Sequence, residues 1–353
     1  MPTARRLILL ATLSLATGCP EPATDKIGEL DTSLSTCDRI HGLTGIILMR
    51  EGGNESHFPT DAPSETLSTS SVAGPRADGS WVTIENGRVY MSTNGGCDWE
   101  ASGGSIPNTG NWKLLTSGND IYAFDRNSGA VAYSPDALNW SAGDASEPFI
   151  GMPMADPAIA GRLRGVQARG VATSEDFGIT WTPQGSAPPA VPNSAAMYPG
   201  DLETAAISHN EGIAITRNGG TSWEEIGAEL LDRTFVTQAV AFATNDANTV
   251  WAAGEDDENA LIYRTVDGGS SWNDVATSKS IDLEATAPLW PVPGVANEAI
   301  SAWGSSVDAY GINVYDVVAG SNIHTTKVGS YFHVNDVAFT EDGGWLLAVD
   351  GIP

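Results

Sequence analysis

The chain has 353 residues, of which 41% are hydrophobic and 17% charged, enough apolar material for a large buried core and too much for wholesale disorder. Lysines and arginines number 17 against 44 acids, a net charge of −27 that repels phosphate backbones and excludes nucleic-acid binding. Thirty-nine glycines and eleven tryptophans in a weakly charged chain predict many tight turns and extensive β-structure.

Residues 1–18 join a cationic start, Arg5 and Arg6, to about ten apolar residues, too few to span a bilayer, and so predict a secretory signal. The segment ends Leu15-Ala16-Thr17-Gly18-Cys19, small residues directly before a cysteine, and resembles the lipobox of bacterial lipoproteins, with Ala16 where that family usually has Leu. The resemblance implies cleavage before Cys19, acylation of Cys19 and, because Pro20 rather than Asp follows, sorting to the outer membrane of the cell envelope. A plain secretory signal with an incidental cysteine is the alternative. Cleavage removes two arginines and no acid, leaving −29 on the mature chain, a charge that suits a basic partner or simple solubility.

Residues 19–36 are prolines, acids and small polar groups with little apolar periodicity, and read as a flexible tether ahead of one domain, 37–353. No later run approaches 18 apolar residues, so the lipid is the one membrane attachment expected. With Cys19 acylated, Cys37 and Cys97 remain in an exported protein where disulfides persist; we expect them to pair, two free thiols being the alternative. His41, His57, His209, His324 and His333 show no ligand spacing, and no metal site is expected.

An internal repeat organises the rest. Ser92-Thr93-Asn94-Gly95-Gly96-Cys97-Asp98-Trp99 recurs as Ser174 to Trp181, Thr216 to Trp223 and Thr265 to Trp272, each with Asp176, Asn218 or Asp267 at its third position. A copy one residue shorter runs from Ser134 through Asp136 to Trp140. The Asp/Asn positions are spaced 42, 40, 42 and 49 apart. A short polar side chain there can accept backbone N–H groups of its own turn, glycine supplies positive φ, and tryptophan buries a large ring beside the next strand.

The pattern resembles the Asp-box of bacterial neuraminidase-type (BNR) repeats, and what the resemblance implies is a β-propeller. Each box follows an apolar stretch such as Leu261-Ile262-Tyr263-Arg264 and precedes another short strand, which makes it the third-to-fourth turn of a four-stranded blade. A sixth, degenerate copy is expected at Ser306-Val307-Asp308. Val334–Phe339 and Trp345–Val349 read as the first two strands of a blade, and Gly45–Met49 with His57-Phe58 as an outer pair. The expectation is therefore an all-β, single seven-bladed β-propeller of four-stranded antiparallel blades, closed by N- and C-terminal strands sharing one blade; six or eight blades are the alternatives.

Catalytic signatures are sparse. Sialidases carry this repeat with an Arg-Ile-Pro motif and an arginine triad, but no Arg-Ile-Pro occurs and Arg50 is followed by Glu51 and Gly52. Glu255-Asp256-Asp257-Glu258 offers oxygens to Ca²⁺ yet lacks Asp-x-Asp alternation, so it reads as a solvated loop and no cofactor is expected. The box residues read as structural. The chain also resembles photosystem assembly-factor and sortilin-type propellers, which implies protein or peptide binding. From the tether, the repeats and the sparse catalytic signatures, the expectation is a monomeric module that binds a protein or glycan on one face without catalysis. The alternative is a glycoside hydrolase with paired carboxylates at the channel.

Overall fold

The structure is a computed structural model and describes residues 45–49, 56–57, 67–107, 110–227, 230, 235–256, 260–278, 289–305, 309–316, 321–329, 332–339 and 345–351. Two strands come first, β1 (Ile46–Met49) and β2 (Ser56–His57). Unit 1 is β3 (Leu67–Ala73), β4 (Trp81–Glu85), β5 (Arg88–Ser92) and β6 (Glu100–Ser105). Unit 2 is β7 (Trp112–Ser117), β8 (Asp120–Asp125), β9 (Ala130–Ser134) and β10 (Ser141–Asp144). Unit 3 is β11 (Met154–Ala155), β12 (Leu163–Gln167), β13 (Gly170–Ser174) and β14 (Thr182–Gln184). Unit 4 is β15 (Ser194–Met197), β16 (Ala205–His209), β17 (Gly212–Thr216) and β18 (Glu224–Glu225). Unit 5 is β19 (Val236–Ala243), β20 (Asp246–Glu255), β21 (Ala260–Thr265) and β22 (Asn273–Ser278). Unit 6 is β23 (Leu289–Pro291), β24 (Glu298–Ser305), β25 (Ala309–Asp316) and β26 (Ser321–Gly329). The last strands are β27 (Phe332–Phe339) and β28 (Trp345–Gly351).

Units 2 to 6 are separate four-stranded antiparallel sheets, so the all-β expectation and the four-stranded repeat both hold. β27 pairs with β28, β28 with β1 and β1 with β2, forming a run assembled from both ends of the chain. Two residue pairs, Asp350 with Ser68 and Gly351 with Leu67, join this shared run to unit 1 in one eight-stranded sheet.

In every unit the first-to-second and third-to-fourth connections lie at one end, the box end. The second-to-third turns and the crossovers to the next unit lie at the other, the far end. The central strands are buried on both faces: Leu163–Gln167, Gly170–Ser174, Ala205–His209 and Gly212–Thr216 are buried throughout. What covers them is the neighbouring sheet. Tyr122, Phe124 and Val131 of unit 2 pack on Phe149, Leu163 and Ala172 toward and in unit 3. Ile213 and Ile215 of unit 4 pack on Phe242, Val250 and Tyr263 of unit 5. Equivalent apolar clusters join unit 6 to the shared run, through Ile300 and Leu347, and the shared run to unit 1, through Ile46, Leu346 and Trp81. First strands also lie side by side, β27 against β3, β3 against β7 and β19 against β15 and β23.

The five repeated turns lie between third and fourth strands and share one hydrogen-bond plan. The first-position hydroxyl donates to Oδ1 of the third residue and accepts the fifth N–H, as Ser174 does toward Asp176 and Gly178. That same Oδ1 accepts the seventh backbone N–H, at 2.9 Å for Asn94, 2.8 Å for Asp176, 2.9 Å for Asn218 and 2.9 Å for Asp267. The other terminal atom matches its partner in polarity. Asp176 and Asp267 accept hydroxyls of Thr180 and Ser271, whereas the amides of Asn94 and Asn218 donate to Asp98 and Ser222. In the shorter copy Asp136 accepts the backbone N–H groups of Leu138 and Asn139 and the Asn139 amide.

Fourth and fifth positions take left-handed backbone, with φ of 71° at Gly268 and 95° at Gly269. Phe177 holds φ 62° in the same turn of unit 3, a conformation that costs a non-glycine residue about 1 kcal/mol. The fifth residue then leans on the preceding unit: Gly96 on Leu346, Gly178 on Val131, Gly220 on Val171 and Gly269 on Ile226. Its carbonyl meets a glycine in or directly after the outer strand of that unit, and a Cβ on Gly104, Gly143 or Gly185 would lie 2.1, 2.2 or 2.3 Å from the carbonyl oxygen of Ala137, Gly178 or Gly220. Trp99, Trp140 and Trp181 donate Nε1 to the fifth-position carbonyl of their own turn, or to its counterpart Ala137 in the shorter copy. Trp223 and Trp272 reach back instead to Ser186 and Ile226 of the preceding unit.

The sixth, degenerate copy expected at Ser306-Val307-Asp308 lies outside the described residues, between β24 and β25 of unit 6. The third-to-fourth connection of that unit, 317–320, lies outside the described residues, as do Cys19 and Cys37.

Two outcomes follow from the turns. Gly269→Ala places Cβ 2.3 Å from Ile226 Cβ, while Gly95 has nothing within 4 Å, at similar positive φ. Denaturant melts should therefore show Gly269→Ala costing about 2–4 kcal/mol and Gly95→Ala about 1 kcal/mol; equal losses would refute the inter-unit contact. Asp136 and Asp267 are held at about 2, by hydrogen bonds from Asn139 in the first case and Ser271 in the second. Their stabilisation is present above the unfolded carboxyl value of about 4 and is lost as pH falls through about 2. Asp267→Asn, with Ser271 turned to accept as Ser222 does, should melt like wild type at pH 7 and lose less stability on acidification.

Candidate functional site

Buried arginines gather at the box end, where Arg217 is also exposed, and three exposed ones stand at the far end. Near the box end, buried arginines reach from one unit into the next. Arg76 donates to the carbonyls of Asn119 and Pro135, Arg164 pairs with Glu203 at 2.6 Å, and Arg264 lies 5.5 Å over the Trp251 ring and donates to Asn297. These guanidinium groups are spent on packing. Burial lowers the Arg264 pKa, and the nearby Asp246 opposes that shift.

At the far end, three consecutive units each place an arginine on the second-to-third turn. In unit 1 the Asn86-Gly87 turn, both residues at positive φ, delivers Arg88. In unit 2 the Asp125 carboxylate accepts the Asn111 and Asn127 N–H groups and the Ser128 hydroxyl, fixing the loop that carries Arg126. In unit 3 Gln167 donates to the Ala145 and Glu147 carbonyls and anchors the turn bearing Arg169. Arg88, Arg126 and Arg169 are exposed. Arg169 Nε donates to Glu147 at 2.7 Å while its side chain stays 81% exposed. Among the described residues Arg88 and Arg126 have no carboxylate partner.

The same end is acidic beyond unit 3. Glu211, Glu225 and Glu255 are exposed there, Glu225 bonded to buried His209 at 3.2 Å and Glu255 accepting from Gln238. Between the two charge fields runs the crossover Ala187-Pro188-Pro189-Ala190-Val191-Pro192, with Val191 83% exposed. Val236, exposed at the start of β19, stands on the same end. This face thus offers cations, an apolar strip and anions in sequence.

A second polar cluster sits between first strands. Asp336 on β27 accepts the Ser71 hydroxyl from β3 and the Val337 N–H; Ser71 in turn accepts Leu114 N–H from β7 at 2.9 Å. Lys113 Nζ donates to the Asn335 carbonyl at 2.6 Å. Three consecutive units are tied here. Burial raises the Asp336 pKa, and Lys113 and the hydrogen bonds pull against it without prevailing. Among the described residues Asp336 is the carboxyl group raised in this way; Asp78, Asp136, Asp176 and Asp267 are lowered.

The box residues Asn94, Trp99, Asp136, Trp140, Asp176, Trp181, Asn218, Trp223, Asp267 and Trp272 all stand at the box end, in separate units, and do not converge. Cys97, the sixth residue of the unit 1 box, is disulfide-bonded. Arg50, Asp257 and Glu258 lie outside the described residues. No group of three or more His, Cys, Asp or Glu among the described residues is placed to hold a metal ion. Neither the far-end arginines nor the Asp336 cluster was singled out from sequence, although the Asn-Gly turn before Arg88 was a usable signal.

Four-stranded antiparallel sheets that pack face to face in chain order, first strands innermost, define a β-propeller. Solved propellers agree with this description. The chain is similar to YCF48 from Cyanidioschyzon merolae, at TM-score 0.54 and 15% identity over 81% of this chain and 96% of that one. It is similar also to YCF48 bound to D1 peptide, with TM-score 0.52, 12% identity, and 81% and 93% coverage. Against the GH74 xyloglucanase from Xanthomonas campestris the TM-score is 0.53 at 16% identity, covering 80% of this chain and 51% of that one, so this chain spans about half of that enzyme. These identities show the fold alone. No family profile and no curated protein matches the sequence.

The Asp336 cluster carries its own outcome. A group whose native pKa is raised contributes stability that is complete below the unfolded value of about 4 and is lost as pH rises through the native value. Lys113→Met removes the cation that holds Asp336 down, so the decline in melting temperature should extend to higher pH; an unchanged profile would show that Lys113 does not act on Asp336.

Proposed function

We propose that the chain is an exported, lipid-anchored, seven-bladed β-propeller that binds a carboxylate-bearing partner, a protein segment or an acidic glycan, on its far end and catalyses nothing. The observation that carries the binding reading is Arg88, Arg126 and Arg169, exposed on three consecutive turns of a chain with net charge −27. The −27 points to basic partners only on average, because charge acts locally within a Debye length of about 10 Å. Val191 and Val236 supply adjoining apolar area. The D1 peptide bound by YCF48 makes a protein segment the first partner to test.

Ring closure through the shared run is supported by the β1–β28 ladder and by the apolar clusters on both sides of it. The BNR assignment of the boxes is supported by their common hydrogen-bond plan. Anchoring at Cys19, the outer-membrane address, the monomeric state and a Cys37–Cys97 bond rest on the sequence reading, the last supported by the bonded state of Cys97. The GH74 likeness keeps glycan hydrolysis as the second reading; retaining or inverting chemistry needs two carboxyl groups across a sugar, and Asp336, its carboxyl buried between first strands, is not placed to face one.

Arrays of acidic peptides and acidic oligosaccharides, probed at low and high salt, test the binding reading. Arg88→Ala with Arg126→Ala should weaken binding about tenfold, worth about 1.4 kcal/mol, and flatten its salt dependence. Binding indifferent to both substitutions, or turnover of any polysaccharide, would overturn it.

A further inference from the structure

Arg169 differs from Arg88 and Arg126 in having a carboxylate beside it, and that carboxylate is held more firmly than the arginine. Glu147 belongs to the crossover from unit 2 to unit 3, a segment wedged between two arginine-bearing turns. On the unit 2 side the Ala145 N–H donates to the Gly129 carbonyl at 2.9 Å, and a Cβ on Gly129 would lie 2.5 Å from the Glu147 carbonyl oxygen. On the unit 3 side the amide of Gln167, a residue 4% exposed, donates to the carbonyls of Ala145 at 3.0 Å and Glu147 at 2.8 Å. Between them Ser146 takes φ 63° and donates its N–H to Asp144 Oδ1 at 2.7 Å. Pro148 then restricts the Glu147 backbone, and Phe149 is buried against Phe124 and Trp181. Ala168 and Arg169 form the turn between Gln167 and Gly170, which pair across it. One buried amide therefore ties the backbone that carries Arg169 to the backbone that carries Glu147.

We propose that Glu147 is a positioning residue, which holds Arg169 by Nε and so presents the Nη1 and Nη2 end of the guanidinium to a carboxylate of the partner. This rests on the binding reading given above. A guanidinium is a planar fork with five N–H donors, and the bond to Glu147, 2.7 Å from Nε, uses one of them. The Nη1 and Nη2 end points away from the aliphatic stem and matches the two oxygens of a carboxylate. With its Nε held, Arg169 has less rotamer freedom left to lose when a partner binds. As a neutral pair, Arg169 and Glu147 supply direction; Arg88 and Arg126, without a carboxylate partner among the described residues, supply attraction.

Charge alone predicts the opposite role for Glu147. An acid set in a cationic field repels an anionic partner, so deleting it strengthens binding. Deleting a positioning residue weakens binding. The two effects differ in sign at one side chain.

The test measures binding of dye-labelled hexaglutamate and of dye-labelled hexagalacturonate to the full chain by fluorescence anisotropy. Glu147→Ala should weaken binding about fivefold although it removes an anion from the surface. Glu147→Gln, whose side-chain oxygen still accepts Nε, should bind at least as well as wild type. In an Arg169→Ala background the sign should invert, Glu147→Ala then strengthening binding slightly because only its charge is left to act. Tighter or unchanged binding in Glu147→Ala, a Gln variant as weak as the Ala variant, or the same weakening with and without Arg169 overturns the proposal. Should Glu147→Ala unfold, as a melting curve would show, Arg169→Lys decides: it keeps the charge and loses the fork, so wild-type binding by that variant overturns the proposal. Wild-type protein that binds neither probe, or binds them indifferently to Arg88→Ala with Arg126→Ala, overturns the binding reading instead. Binding that falls with those substitutions and ignores Glu147→Ala overturns this inference alone.

Discussion

Everything in this molecule depends on one small carboxamide or carboxylate accepting the backbone of its own turn. Oδ1 of Asn94, Asp176, Asn218 or Asp267 gathers a hydroxyl and a backbone N–H that would otherwise point into solvent or into the sheet. Because the side chain satisfies the turn from within, the fifth-position carbonyl is free to project outward, where the preceding sheet receives it beside Gly104, Gly143 or Gly185. A single local hydrogen-bond plan thereby becomes an inter-sheet contact. The central strands, buried on both faces, need such a neighbour, since a lone four-stranded sheet of this composition leaves a whole apolar face in water.

The division of labour between the two ends follows from that contact. The box end is occupied by structural duties: turn capping, tryptophan Nε1 bonds to carbonyls, and buried guanidinium groups that reach across units. The far-end turns are short and hold their shape by backbone conformation or one capping carboxylate, as at Asn86-Gly87 and Asp125. Their side chains are consequently free to differ in charge from one unit to the next. A binding surface can be written there without disturbing the core.

Much of the fold was legible in the sequence because the repeat encodes it locally. The spacing of Asn94, Asp136, Asp176, Asn218 and Asp267 gave the unit length, and the polarity pairing of third and seventh positions could have been read from Asn94 with Asp98 and Asp267 with Ser271. Unit 6 was the least legible, because Ser306-Val307-Asp308 keeps only the first half of the motif and Ser-x-Asp alone is also a common turn sequence. The outer glycines Gly104, Gly143 and Gly185 carry a period as regular as the boxes, yet a glycine in a glycine-rich chain announces nothing until the opposing carbonyl is seen. Ser71, Lys113 and Asp336 were invisible for a different reason: 265 residues separate Ser71 from Asp336, and only the meeting of first strands brings them together.

The ladder between β1 and β28 has a consequence in time. Ile46 and Leu48 emerge early from whatever machinery makes or exports the chain, while their partners Ala348 and Leu346 emerge about three hundred residues later. Until then two fully apolar positions have no sheet to join, and the neighbouring units can already stack on one another. Closing so long a loop costs only a few kcal/mol more than closing a short one, but the pairing cannot begin before the last strand exists. Pairing of β1 with β28 is therefore a late event, and the interval before it is when the unpaired β1 edge is exposed to the wrong partner.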